Sequence, residues 1–128
     1  MLARMYSLET LRAEIHEQNI RFHQLHADGQ LAGFAAFGPT DAPEVFKLHK
    51  LYVVLAAHGL GLGWRLLRHA ENEVMQLGGH RLILAVNKQN TKARAFYERN
   101  GFSVADSVVN DIGDGFVMDD FIMAKDLK

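Results

Sequence analysis

Cysteine is absent from the sequence, which removes disulfides, thiolate zinc sites and a cysteine nucleophile together. That fits a reducing compartment, and the cytoplasm is the simplest expectation. Neither sign of charge dominates: 14 Lys and Arg stand against 15 Asp and Glu, for a formal net charge of -1. A broad basic field of the kind that holds DNA or RNA is therefore missing, and no nucleic-acid partner is expected. No apolar run approaches the roughly 18 residues of a membrane span, and residues 1–6 lead into a polar stretch without the apolar core of an export signal. No membrane partner is expected either. What is present is a chain of 128 residues, 48% of them hydrophobic. That is enough to bury one core without staples, and residues 1–128 read as one domain.

Leu8, Leu11 and Ile15 recur at three and four residues behind Ser7 as an N-cap, which predicts a helix over about 7–18. Residues 20–27 and 31–37 flank an Asp28-Gly29 turn and read as a β-hairpin that ends at Gly38-Pro39. Residues 45–55 read as a long central strand. Leu62, Leu66, Leu67, Ala70, Val74 and Leu77 trace one helical face, stopped by Gly78-Gly79. Residues 81–86 form a short buried strand, and residues 91–100 a second helix closed by Gly101, so a right-handed parallel crossover is expected. Two more strand-like runs, 102–109 and 116–123, flank residues 111–115. The fold class is α/β: a single domain with a mixed, twisted sheet and helices on both faces.

The turn His58-Gly59-Leu60-Gly61-Leu62-Gly63 joins the central strand to the first clear helix. Backbone N–H groups there lack intrahelical partners and converge on one spot, where the helix dipole adds roughly half a positive charge. Such a spot binds phosphate. A tight connection with no ligand fits the turn alone equally well. Spacing excludes a dinucleotide fingerprint, which needs G-x-G-x-x-G and an acid about 20 residues on, and a P-loop, which needs Gly-Lys-Ser/Thr where Gly63 is followed by Trp64 and Arg65.

Three stretches together resemble the GNAT superfamily of acetyl-CoA-dependent N-acetyltransferases. They are Leu51-Tyr52-Val53 leading into the glycine turn, Asn90-Thr91-Lys92-Ala93-Arg94-Ala95-Phe96-Tyr97-Glu98-Arg99-Asn100-Gly101-Phe102, and the tail from Gly115 to Met123. The tail is most similar to bacterial members related to spermine/spermidine acetyltransferases. The resemblance implies an acyltransferase that takes acetyl-CoA as co-substrate and a primary amine as acceptor, a small molecule or polyamine in preference to a protein. It places the backbone of Leu51, Tyr52 and Val53 along the pantetheine arm. His58 falls at the Gln/Arg place of the family's Q/R-x-x-G-x-G/A signature, with Gly59, Leu60, Gly61, Leu62 and Gly63 around the pyrophosphate. Asn90, Ala93, Phe96 and Tyr97 fall on the coenzyme side, with Tyr97 the acid that protonates the leaving thiolate. Histidine at position 58 is a departure: imidazole lacks the guanidinium fork and its charge depends on pH.

Amine acetylation sets its own demands. An alkylamine with a pKa near 10.4 is protonated at pH 7, so its nucleophilic form costs about 4 to 5 kcal/mol to reach. One group must take that proton, and a second, such as a tyrosine hydroxyl, serves the leaving thiolate. For Tyr97 the competing reading is packing beside Phe96. Relatives carry a glutamate where this chain has Lys47, so the base is left open among a water chain, His49, Glu44 and an acid of the tail. The missing glutamate and His58 also favour a rival reading, a catalytically silent acyl-CoA-binding or regulatory module. Seven histidines give no metal set: His23 and His26 fall on opposite strand faces, and His69 and His80 have no ligand-spaced carboxylate. Asp111, Asp114, Asp119 and Asp120 fail the calcium-loop spacing and read either as surface acids or as an anionic wall for a cationic amine. Trp64 reads as a packing residue. Relatives begin with a strand and helix that this chain lacks, which predicts an exposed edge at strand 20–27. A homodimer covering that edge, or a chain cut from a longer parent, accounts for it.

Overall fold

The computed structural model describes residues 6–9, 20–27, 29–53, 61–113 and 116–127. In chain order these form β1 (Tyr6–Glu9), β2 (Arg21–Ala27), β3 (Gln30–Pro39), β4 (Val45–Val53), α1 (Leu62–Gln76), β5 (Arg81–Asn87), α2 (Thr91–Arg99), β6 (Ser103–Gly113) and β7 (Phe116–Asp126). The seven strands make one sheet in the order β1-β2-β3-β4-β5-β7-β6. Only β4 and β5 run parallel; every other pair is antiparallel. The helix between that parallel pair is the crossover that the sequence predicts. Among the described residues no helix is long and apolar enough to cross a membrane.

The core lies between α1 and one face of the sheet. Leu62, Leu66, Leu67, Ala70 and Val74 are spaced to share one helical stripe, and all are buried against Ala35, Phe37, Leu48, Leu82, Leu84 and Met123. Each buried leucine contributes about 2 kcal/mol of apolar transfer energy. The helix ends at Gly78, whose φ of 90° suits glycine, and Gly79 then passes so close to Phe46 that a Cβ there would lie 2.7 Å from its ring. The paired glycines thus both stop the helix and let the chain turn tightly into β5.

α2 rests on the same face as α1. Its Phe96 touches Gly63 across a would-be Cβ contact of 3.5 Å, and Ala93, Phe96 and Tyr97 pack on the α1 core. Among the described residues only this face carries helices. The helix expected over 7–18 is corrected at its start, since residues 7–9 belong to β1; residues 10–19 lie outside the described residues. β1 pairs with β2 from Tyr6 against Ala27 to Glu9 against Gln24. The expectation of a missing first strand and an edge at β2 is therefore corrected too, and the argument for a covering second copy there falls with it. A stretch of four residues carries too little periodicity to separate helix from strand, and here pairing with β2 decides.

Candidate active site

The parallel ladder between β4 and β5 stops at Leu48 opposite Leu84. Both strands continue, β4 to Val53 and β5 to Asn87, but they no longer pair with each other. The cause is visible one strand back. The register of β3 against β4 shifts between Ala36 and Phe37, so β4 carries an extra residue at His49 and bends. From His49 to Tyr52 the edge of β4 that faces β5 has no β5 ladder, and its backbone N–H and C=O groups are available to an extended ligand.

Two cavities open at this divergence. One of about 550 Å³ lies on the helix side, lined by Leu51 and Val53 of β4, by Gly61, Leu62, Gly63 and Trp64 at the start of α1, and by Lys92, Phe96 and Arg99 of α2. The other, of about 440 Å³, has Phe34, His49, Lys50 and Tyr52 on one wall and Ala85, Asn87 and Asn90 on the other. Leu51, Ala93 and Tyr97 line both. Each cavity falls in the size range of small-molecule sites.

At the mouth of the first cavity Gly61 caps α1 in the left-handed region, with φ 73°. A Cβ added there meets no atom within 4 Å, so the backbone stands open to the cavity. The first N–H groups of α1 have no intrahelical acceptor, and its first turn carries no acid. Lys92 and Arg99 add two cations to the same wall. These two were missed in the sequence, although their spacing with Phe96, four and three residues away, puts all three on one helical face. Trp64 was expected to pack. It is instead 50% exposed, with the Arg68 guanidinium 5.7 Å from its ring, and it lines the cavity. His58, Gly59 and Leu60 lie outside the described residues.

Asn90 is the N-cap of α2, its Oδ1 accepting from the Ala93 N–H at 3.2 Å. It lines the second cavity rather than the first. Tyr52, on the opposite face of β4 from Leu51 and Val53, also turns to the second cavity, its ring 5.7 Å from Phe34. Tyr97 stands at the junction between Phe96 and Phe102, edge-on to both. Burial pushes its hydroxyl up to about 12. His49 lines the second cavity and is pushed below the ordinary 6.5, first by burial and then by the Lys47 ammonium. Glu44 is at the other end of β4, in a turn whose carbonyl accepts from the His80 and Arg81 N–H groups, far from the divergence in the strand order.

The histidines that the sequence set aside hold one surprise. His23 is fully buried, its Nδ1 2.7 Å from His69 Nε2 and its Nε2 3.9 Å from Glu73 Oε1. His69 and Glu73, four residues apart on α1, therefore do share a polar cluster, which joins β2 to the helix. Among the described residues no group of three or more His, Asp or Glu is placed to hold a metal ion.

A family model described as "Acetyltransferase (GNAT) family" matches residues 3–102. The chain is 44% identical over 85 residues to the 5-NmdU N-acetyltransferase of Pseudomonas phage PaMx11, covering 65% of this chain and 57% of that protein. Among solved structures, a GNAT-family acetyltransferase from Desulfovibrio desulfuricans superposes with a TM-score of 0.76 at 26% identity, covering 85% of this chain and 70% of that one. The PaiA N-acetyltransferase of Thermoplasma acidophilum, in complex with coenzyme A, gives 0.69 at 32% identity, covering 84% and 60%. The chain spans about three fifths of the length of the curated relatives it matches.

Proposed function

The chain belongs to the GNAT family of acetyltransferases, and on that premise we propose that it moves an acetyl group from acetyl-CoA to a primary amine by direct transfer. The observation that carries this reading is the pair of cavities meeting at Leu51, Ala93 and Tyr97, one lined by the start of α1 with Lys92 and Arg99 and the other by Phe34, His49 and Asn87. Direct transfer needs this arrangement, because donor and acceptor must meet within about 3 to 3.5 Å without a covalent stop on the protein. An acceptor cavity of about 440 Å³ favours a small amine over a protein.

The residues fit the coenzyme. Gly61, Leu62 and Gly63 present backbone N–H groups to the pyrophosphate, with Lys92 and Arg99 as counter-charges. Leu51 and Tyr52 offer the unpaired edge of β4 to the amides of the pantetheine arm. Acetyl-CoA, when bound, supplies an activated thioester carbonyl. His49, whose pKa is lowered from the ordinary 6.5 and whose neutral form is thereby favoured further, takes the ammonium proton, directly or through water. Tyr97 holds its proton and directs it at the sulfur. A small-molecule acceptor of the bacterial cytoplasm completes the reading.

The test is a mixed amine library incubated with protein and acetyl-CoA, read by mass spectrometry and by free-thiol release. Acetylated amine with matching thiol supports the proposal. Coenzyme binding by calorimetry with no thiol released by any amine establishes the silent acyl-CoA-binding module instead.

A further inference from the structure

Among the described residues, the second cavity, where the acceptor sits on the reading above, has His49 and Lys50 in its lining and no acid. An alkylamine arrives as a cation. The register of the sheet supplies the missing charge one strand further on. Asp120 of β7 stands directly opposite Asn87 of β5, which lines the cavity. Residues opposite each other in an antiparallel pair project to the same side with Cβ atoms about 5 Å apart. The neighbouring rows fix which side: Leu84 with Met123 and Val86 with Phe121 face the helices and pack in or on the core, so Asn87 with Asp120 faces the other way.

Asp120 is only 6% exposed, yet no hydrogen bond or ion pair reaches its carboxylate among the described residues. Its chain neighbour Asp119 behaves oppositely: exposed, and paired with Lys88 Nζ at 2.6 Å. A carboxylate that no protein cation reaches is free to pair with a cationic ligand. The geometry points to Asp120 as the docking group for the protonated acceptor amine, a specificity determinant for alkylammonium substrates. It pairs with the ammonium, holds the nitrogen at the Asn87 end of the cavity, and leaves proton removal to the base. This inference rests on the amine-acetylation reading and selects one of the four tail acids.

The experiment compares parent and Asp120→Asn at saturating acetyl-CoA and pH 7, with benzylamine and diaminobutane, which are protonated, and aniline, which is neutral. The expected result is a 10- to 100-fold fall in kcat/KM for the alkylamines, the worth of a charge-assisted hydrogen bond, expressed mainly in KM. Aniline changes less than about threefold. Coenzyme affinity is unchanged, and the thermal midpoint stays within a few degrees, because the substitution removes no protein partner of Asp120. An equal loss on charged and neutral amines with a lowered midpoint makes Asp120 structural and overturns the inference. So does an unaltered alkylamine KM. A parent that binds coenzyme but releases thiol with no amine overturns the parent reading itself, a result visible before any variant is compared.

Discussion

Lys125 Nζ lies 3.1 Å from both carboxylate oxygens of Glu71, tying β7 to the buried flank of α1. Arg68 closes the group from the helix surface at 2.7 Å. The lysine stem passes against Gly101, and its ammonium sits 5.9 Å from the Phe102 ring, itself the edge-on partner of Tyr97. Glu71 is 3% exposed, so removing it strands a largely buried cation. Glu71→Ala is expected to cost about 3 kcal/mol in urea unfolding. Glu71→Leu with Lys125→Met should recover most of that loss. A single-variant loss under about 1 kcal/mol would mean that solvent already screens the pair.

The glycine turn gives a sharper test than the sequence alone allowed. On the proposed reading, Gly61→Val would block close approach of the backbone to the pyrophosphate. With φ at 73°, valine also strains the backbone by about 1 to 2 kcal/mol. Asparagine tolerates that region. Gly61→Asn should keep the parent's thermal midpoint within a few degrees while weakening coenzyme A binding about tenfold or more, since its side chain enters the cavity. Calorimetry showing parental affinity for Gly61→Asn would overturn the phosphate assignment.

Elements whose pattern answers to a large buried face were legible in the sequence. The α1 stripe was read to within a residue, because 15 residues sample four helical turns, and β5 and α2 were read nearly as well. The divergence of β4 from β5 has its cause in the extra residue at His49. A bulge is set by which residues of β3 and β4 pair, and nothing local to β4 encodes that. The same holds for Asp120: its solitude depends on pairing β7 between β5 and β6, a strand order that alternation along one strand does not reveal. Lys92 and Arg99 went unread because cations on an exposed helical face look like solvation until a cavity is placed beside them.

His49 carries a pH dependence whose direction is fixed by its lowered pKa. Burial first and Lys47 second disfavour the imidazolium, so the ring is neutral at pH 7 and becomes charged only on acidification below the ordinary 6.5. With His49 as base, kcat/KM should be level near neutrality and fall as the pH drops below that value. His49→Gln should lower kcat/KM by about 10² to 10⁴ and abolish the acid limb. Persistence of the limb in the variant would move the proton to another group.

In the proposed transfer, Tyr97 would meet the leaving group with a phenol more reluctant than an ordinary tyrosine. At a pKa of about 12, complete proton transfer to a thiolate whose conjugate acid has a pKa near 8.5 is uphill by roughly 5 kcal/mol. On the proposed reading the phenol therefore stabilises the developing thiolate by donating a hydrogen bond and keeps its own proton; of the two protons the ammonium gives up in becoming an amide, one leaves through the base and the other neutralises the thiolate. A hydrogen bond to a charged group is worth about 1.5 to 3 kcal/mol, so Tyr97→Phe should lower kcat roughly 10- to 100-fold, less than a lost general acid costs. Acetyl-CoA affinity should hold, because the ring still packs on Phe96 and Phe102. The raised pKa also sets a sign: the phenol stays protonated through pH 10, so no activity loss between pH 8 and 10 should trace to Tyr97. An alkaline limb in that range, present in the parent and absent from Tyr97→Phe, would show that the phenol does titrate there and gives up its proton. Unchanged turnover in Tyr97→Phe, measured where the chemical step limits the rate, would remove the hydroxyl from the reaction and leave Tyr97 as packing between the two phenylalanines.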